Sequence, residues 1–156
     1  MKKSVFLIIL IIYVASILFI GLFGMEMALF NEKLYVTDII ITNESTEEYS
    51  VYESTQEGII YITFFYDNTY DGNWESEDNP NVVQLFWKVV PEDATNRKIS
   101  FSYDTSYEGG VNPYGKVTET GTVMFKKAGS ITVTITALDG SNTKTRVTVV
   151  ARKAAK

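Results

Sequence analysis

Ile131-Thr132-Val133-Thr134-Ile135-Thr136-Ala137 alternates apolar and polar residues without a break. Successive side chains of a β-strand point to opposite faces, so this pattern predicts a strand with one face in a core. Asp139-Gly140 follows as a strong tight-turn signal, and Arg146–Val150 returns as the second strand of a hairpin. The segment therefore predicts a β domain that contains antiparallel pairs.

The same pattern extends outward from this hairpin, because short blocks of β-branched and aromatic residues alternate with polar loops from Leu34 onward. Seven or eight strands over residues 34–150 suit an all-β, immunoglobulin-like β-sandwich, which usually takes about 100 residues. The excess length lies in the loops 43–58 and 67–81. The predicted strands are Leu34–Thr42, Ile59–Tyr66, Val82–Val90, Lys98–Tyr103, Lys116–Thr118, Thr122–Phe125, Ser130–Ala137 and Thr145–Val150.

Pro91-Glu92-Asp93-Ala94-Thr95-Asn96-Arg97-Lys98-Ile99-Ser100-Phe101-Ser102 resembles the P-x-D/E-A-T-N-K-x-V-x-W-x-S stretch of bacterial immunoglobulin-like domains, group 2, the invasin and intimin type. Gly121-Thr122-Val123, Lys126-Lys127-Ala128-Gly129 and Asp139-Gly140-Ser141 follow the order of the family's later motifs. The resemblance covers residues 82–150 well and residues 34–66 loosely. It implies an immunoglobulin-like fold without catalytic residues, in a family of adhesins, surface stalks and accessory modules. Phe101 replaces the usual tryptophan, and residues 67–81 form an insertion.

The N-terminus carries an uncharged apolar run, Val5–Phe23, directly after Lys2 and Lys3. At about 1.5 Å per residue, a helix of this length nearly spans the hydrocarbon core of a bilayer. We predict a retained signal anchor, the alternative being a cleaved signal peptide. The positive-inside rule places residues 1–4 in the cytoplasm and the chain from about Met25 onward outside. The predicted segments are 1–4 cytoplasmic, 5–23 transmembrane, 24–33 linker, 34–150 immunoglobulin-like and 151–156 basic tail.

The composition excludes several classes of function. The chain has 156 residues, no His and no Cys, so it has no disulfide, no thiolate nucleophile and no imidazole-based triad. A net charge of −5 argues against nucleic-acid binding. Residues 26–78 hold thirteen acids and one base, whereas residues 79–156 hold eleven bases and six acids. We expect a non-catalytic protein with an acidic first half and a basic second half.

The inserted loop offers one candidate metal site. Residues 67–78 align with the twelve-residue calcium loop, in which oxygen ligands surround the ion and a glycine at the sixth position makes the turn. Gly72 takes that sixth position, although a strand replaces the helix that normally precedes such a loop. The alternative is a solvated acidic loop. The candidate calcium ligands are Asp67, Thr69, Asp71, Glu75 and Asp78.

Ile59–Tyr66 is apolar on both faces, whereas a sandwich strand needs only one apolar face. The set Ile60, Ile62, Phe64 and Tyr66 is expected in the core. The opposite set, Ile59, Tyr61 and Phe65 around Thr63, requires a cover. Either one of the loops 43–58 and 67–81 lies over it, or another protein binds there.

These features predict a single-pass membrane protein that presents an immunoglobulin-like domain to another envelope or membrane protein. We expect a small subunit of a bacterial envelope assembly. A domain of this size extends only about 35–40 Å from the bilayer, which disfavours contact with a host through a thick wall. The alternative is a surface adhesin or a glycan-binding module.

Overall fold

A computed structural model describes residues 2–30, 33–54, 58–107 and 109–153. The chain divides into a helical unit that ends at Lys33 and a β unit that begins at Leu34. This confirms the prediction of a mostly β fold after one apolar N-terminal helix. The elements are α1 Lys2–Phe30, β1 Asp38–Ile41, β2 Tyr49–Glu53, β3 Ile60–Tyr66, β4 Val82–Gln84, β5 Trp87–Val90, β6 Ile99–Tyr103, β7 Gly115–Val117, β8 Thr122–Phe125, β9 Gly129–Ala137 and β10 Lys144–Lys153.

Helix α1 is apolar on all sides over Ser4–Leu22, and this part is long and apolar enough to cross a membrane. The residues of this part that carry a hydroxyl are Ser4, Tyr13 and Ser16. The Ser16 hydroxyl donates a hydrogen bond to the Ile12 carbonyl (2.8 Å). The helix continues to Phe30, so the first seven residues of the predicted linker 24–33 are helical, and the β unit begins after its last residue, at Leu34. An unbroken helix is favoured there because Phe23–Phe30 contains no proline.

The β unit contains a five-stranded sheet in the order β2-β3-β10-β9-β6, a three-stranded sheet β4-β8-β7 and a two-stranded sheet β1-β5. All pairs are antiparallel except β3 with β10. Apolar side chains from all three sheets form one core. Phe64 of β3 meets Phe125 of β8 edge to face, with ring centroids 5.5 Å apart, and Trp87 of β5 meets Phe101 of β6 at 5.1 Å. The five-stranded sheet therefore faces the two smaller ones.

The predicted strand Val82–Val90 is divided because it changes partner. β4 pairs with β8 and β5 pairs with β1, and Leu85 and Phe86 lie between them. The side chain of Asn43 occupies the break: its Oδ1 accepts from the Phe86 amide (2.7 Å) and its Nδ2 donates to the Gln84 carbonyl (2.8 Å). The alternation of apolar and polar residues does not reveal this change of partner, because the side chains that face the core keep the same alternation through the break.

Two further boundaries correct the sequence prediction. β2 lies in the segment predicted as the loop 43–58, and β10 continues through Lys153 into the predicted tail 151–156. Ala151 is buried and Arg152 pairs with Phe65 of β3, so the first half of that tail belongs to the sheet. Residues 154–156 of the tail and residues 31–32 of the linker lie outside the described residues.

The β9–β10 connection holds the start of the β unit. The Asp139 carboxylate accepts hydrogen bonds from the Val36 amide (2.5 Å) and the Ser141 amide (2.9 Å), and Thr143 Oγ1 donates to the Val36 carbonyl (2.8 Å). A hydrogen bond from the Ser141 side chain is the largest cause that holds the pKa of Asp139 below its usual range, and the bonds from the backbone amides lower this pKa further. Partial burial opposes the shift. The charged form of Asp139 therefore stabilises the fold.

We expect Asp139→Ala to destabilise the β unit at neutral pH and the difference from wild type to shrink in acid. The folded pKa is depressed, so the contribution of this carboxylate is complete above its unfolded pKa and is lost as the pH falls through the folded value. Urea unfolding at a series of pH values measures this difference. Asp93→Ala, at an exposed acid nearby, is the control. A difference that stays constant down to strongly acidic pH would contradict the assignment.

Candidate interaction surfaces

The outer face of β3 carries the predicted partner-binding side chains. Tyr61 stacks on Tyr52 of β2, with ring centroids 5.2 Å apart and ring planes 6° apart. Phe65 lies four residues further along the same face and is 69% exposed. Ile59 precedes β3 and is half-buried. The aromatic surface formed by Tyr52, Tyr61 and Phe65 is therefore partly covered from within the domain at one end and open at the other.

The inner face of β3 lies as the pattern predicts. Ile62 and Phe64 are buried in the core, and Ile60 and Tyr66 pack against it. Tyr66 also donates its hydroxyl to the Lys126 carbonyl (2.8 Å). Because this face is fully used by the core, only the outer face of β3 is left for a partner.

The rest of the outer face of the five-stranded sheet is rich in hydroxyl groups. Thr148 of β10 and Thr132 of β9 share a hydrogen bond between their Oγ1 atoms (2.9 Å), and Ser102 of β6 bonds to the Thr134 carbonyl (3.4 Å). On the same face Arg152 pairs directly with Phe65, and Val150 pairs with Thr63. Tyr52, Tyr61 and Phe65 therefore lie beside a face of mixed hydroxyl, aliphatic and basic side chains.

The insertion 67–81 is closed at its base by one side chain. Asn81, which is 1% exposed, accepts a hydrogen bond from the Asp67 amide (2.6 Å) and donates one to the Asp67 carbonyl (3.2 Å). Asn79 adds a second tie, since its Nδ2 donates to the carbonyls of Trp74 (2.7 Å) and Phe125 (3.3 Å). The insertion is thus a hydrogen-bonded structure with its own buried polar centre.

The insertion packs on the outer face of the three-stranded sheet, and Asp67 and Pro80 at its base line a surface cleft with Phe65 of β3. The Lys116 Nζ lies 5.3 Å and the Lys126 Nζ 5.8 Å from the ring centroid of Trp74, within the range of cation–π attraction. Lys116 also forms an ion pair with Glu75 (2.7 Å). Lys116 and Lys126, from the basic second half of the chain, thereby contact Trp74 and Glu75 of the insertion.

The structure does not gather the predicted calcium ligands. Asp67 Oδ1 accepts from both the amide (2.8 Å) and the hydroxyl (2.6 Å) of Thr69, and these bonds hold the pKa of Asp67 below its usual range. Glu75 is engaged by Lys116, and Asp71 and Asp78 are exposed. In the part of the chain that the structure describes, no three such side chains are placed to hold a metal ion. The contacts favour the alternative of a solvated acidic loop.

Sequence reasoning missed Tyr52, Asn79 and Asn81. The two asparagines lie within an acidic, polar run in which no periodicity distinguishes a buried amide from an exposed one. Tyr52 had a weak signal, the alternation Tyr49, Val51 against Ser50, Tyr52. The surrounding Glu47, Glu48 and Glu53 concealed this strand pattern.

The chain has no match among models of known protein families. No curated protein matches it either.

Proposed function

We propose that this protein is a single-pass membrane protein that presents an immunoglobulin-like, non-catalytic domain to another protein of a bacterial envelope. The observation that carries the proposal is the apolar segment Ser4–Leu22, followed at Leu34 by a separate β unit. In α1 the apolar side chains over this segment lie on every side of the helix, which suits contact with lipid tails.

Topology supports the immunoglobulin-like assignment. β3 runs parallel to β10 in the sheet β3-β10-β9-β6, and β4 and β8 belong to the opposite sheet. One hydrophobic core joins the sheets, as in a sandwich. Two of the motifs that resemble group 2 bacterial immunoglobulin-like domains lie at turns, which supports the proposal: Gly121 precedes β8, and Asp139-Gly140 lies in the β9–β10 connection.

Purification of the full chain in mild detergent tests the proposed role. We expect a second membrane or envelope protein to co-purify in stoichiometric amount. Recovery of the chain alone, without any associated protein after gentle extraction, would contradict an assembly role.

The second candidate function is glycan binding or adhesion, which the aromatic surface favours. Exposed aromatic rings offer flat faces to the C–H groups of sugars, and the neighbouring Thr and Ser hydroxyls can hydrogen-bond to sugar hydroxyls. A chain that purifies alone and binds polysaccharide would support this function over the first.

Phe65→Ser is expected to weaken partner binding without affecting the fold. Its side chain is 69% exposed, so the change in unfolding free energy should stay within about 0.5 kcal/mol, whereas loss of a central aromatic contact costs about 2 kcal/mol of binding, or about thirtyfold. Tyr61→Ser should also reduce stability by about 1 kcal/mol, because it removes the stack on Tyr52. Co-purification yield and thermal melting measure the two effects.

Phe86→Ser is the matched control, since Phe86 is 53% exposed but lies between β4 and β5. Equal retention of the partner by the Phe65 and Phe86 variants would show that the outer face of β3 is not the interface.

The topology is tested with single cysteines, because the chain has none of its own. We expect Val111→Cys to react with a membrane-impermeant maleimide on intact cells and Ser4→Cys to react only after permeabilisation. The intact mass of the membrane-extracted protein should retain the whole of α1. A species that begins at Ile17 or later would show that the segment is a cleaved signal.

A further inference from the structure

Three segments meet at the end of the β unit that carries Leu34, called here the proximal end: Leu34–Val36, Thr95–Lys98 and the connection 138–143. The Leu34 carbonyl accepts from the Thr95 amide (2.9 Å), and the Thr95 hydroxyl accepts from the Leu34 amide (2.9 Å). Asn96 Nδ2 donates to the Leu138 carbonyl (2.8 Å), and Leu138 N donates to the Lys98 carbonyl (2.8 Å). These bonds fix the three segments relative to one another.

Three large side chains at the proximal end are exposed to solvent, although hydrogen bonds fix the backbone of their segments. Tyr35 is 47% exposed, Leu138 is 53% exposed, and Leu34 is also exposed. A Cβ at Gly140 would lie 3.9 Å from the Tyr35 ring, so this ring lies beside the turn that carries Leu138. Exposed apolar side chains on a fixed backbone are normally covered by a partner or by lipid.

Basic side chains surround these apolar groups. Arg97, Lys98 and Lys144 are all exposed at or beside the proximal end. Of the nearby acids, Asp139 accepts a hydrogen bond from the Val36 amide and Asp38 accepts one from the Ile39 amide. Asp93 is exposed, and Glu92 forms an ion pair with Lys88. Tyrosine, lysine and arginine beside apolar residues form the composition that lies in the headgroup region of membranes.

The chain itself restricts what can cover this end. Leu34 follows the last residue of α1, Phe30, by four residues, a reach of about 14 Å even when fully extended. Helical residues after Leu22 add about 12 Å. If Ser4–Leu22 crosses a bilayer, Leu34 therefore lies within about 26 Å of the end of the membrane span, so the proximal end can reach the lipid headgroups.

We propose that the proximal end docks on the lipid surface, with Tyr35 and Leu138 inserted among the headgroups and Lys98 and Lys144 facing lipid phosphates. The inference rests on the proposed membrane anchor. It adds that the β unit is seated on the bilayer by its own side chains, so that the far end of its strands, with Val111, points away from the membrane.

Environment-sensitive labels on the full chain test this proposal. Single variants Leu138→Cys, Val111→Cys and Ile17→Cys are labelled with a nitrobenzoxadiazole dye and reconstituted into phosphatidylcholine–phosphatidylglycerol vesicles. Val111 is the matched control, an aliphatic residue that is 61% exposed and lies between β6 and β7 in the chain. Ile17 lies within the predicted span and reports insertion of the anchor. Each label is quenched in turn by spin-labelled lipid and by aqueous iodide.

We expect spin-labelled lipid to quench the labels at positions 17 and 138, and iodide to quench the label at position 111 several-fold more than that at 138. In the Leu138→Cys chain, Lys98→Gln with Lys144→Gln should reduce lipid quenching at 138 and leave position 17 unchanged. Lipid quenching at 17 without any at 138 would overturn the docking proposal and leave the anchor intact. Protection of 138 from iodide without lipid quenching would assign this end to a protein partner and also overturn it. Absence of lipid quenching at 17 would overturn both proposals.

Discussion

Asn81→Ala is expected to lower the free energy of unfolding of the β unit by about 2–4 kcal/mol, or about 8–15 °C in melting temperature. The side chain of Asn81 pairs with both backbone polar groups of Asp67 and is itself fully buried. Alanine leaves the Asp67 amide and carbonyl without this partner and opens the base of the insertion. Thermal and urea unfolding of the full chain in detergent measure the loss.

Asn68→Ala is the matched control, because Asn68 lies in the same insertion but is exposed. It should change the unfolding free energy by no more than about 0.5 kcal/mol. Asn81→Asp should be at least as destabilising as the alanine variant, since it places a carboxylate oxygen against the Asp67 carbonyl. If Asn81→Asp were neutral, the assigned orientation of the amide would be wrong.

Leu10→Arg combined with Val14→Arg is expected to release the protein from the membrane fraction. The two side chains lie one helical turn apart in the middle of Ser4–Leu22. Each arginine at the centre of a span costs about 2.5–3.5 kcal/mol of insertion free energy, so the pair shifts the partition by about 10⁴-fold. Carbonate extraction followed by immunoblotting measures the membrane-bound fraction.

The control is Leu10→Ala with Val14→Ala, which keeps the segment apolar and should remain in the membrane. If the double arginine variant resisted carbonate extraction as well as wild type does, another part of the chain would be responsible for attachment. Melting of its β unit should match wild type, because that unit begins only at Leu34.

The sequence predicted most reliably the strands that contribute a continuous apolar face to the core. β8 begins and ends where its pattern does, and the core set Ile62 and Phe64 of β3 was identified correctly. Long periodic segments carry this information because burial alone selects their residues. β2 was missed since it is an edge strand whose pairing with β3, rather than burial, makes it a strand.

The interaction surfaces were less predictable, because they depend on which loop covers which face. The pattern of Ile59–Tyr66 indicated a second apolar face, and Tyr61 and Phe65 lie there. It could not indicate that Tyr52 would stack on Tyr61, or that the insertion would pack through Trp74 on the other sheet. The spacing of the acids suggested calcium, but a spacing does not reveal that Lys116 engages Glu75.

The parallel pairing of β3 with β10 determines how the β unit resists mechanical force. Its seven residue pairs extend from Val147 with Ile60 to Lys153 with Tyr66. A pull between the N-terminal end of the unit and the C-terminal end of β10 acts along the strands, and β1 is drawn along β5 in the same way. Under such shear, the hydrogen bonds of a ladder must break together, whereas a hairpin pulled open at one end loses them one at a time. We therefore expect the β unit to resist a pull between Leu34 and the end of β10 more strongly than a pull that opens the β9–β10 hairpin from one end.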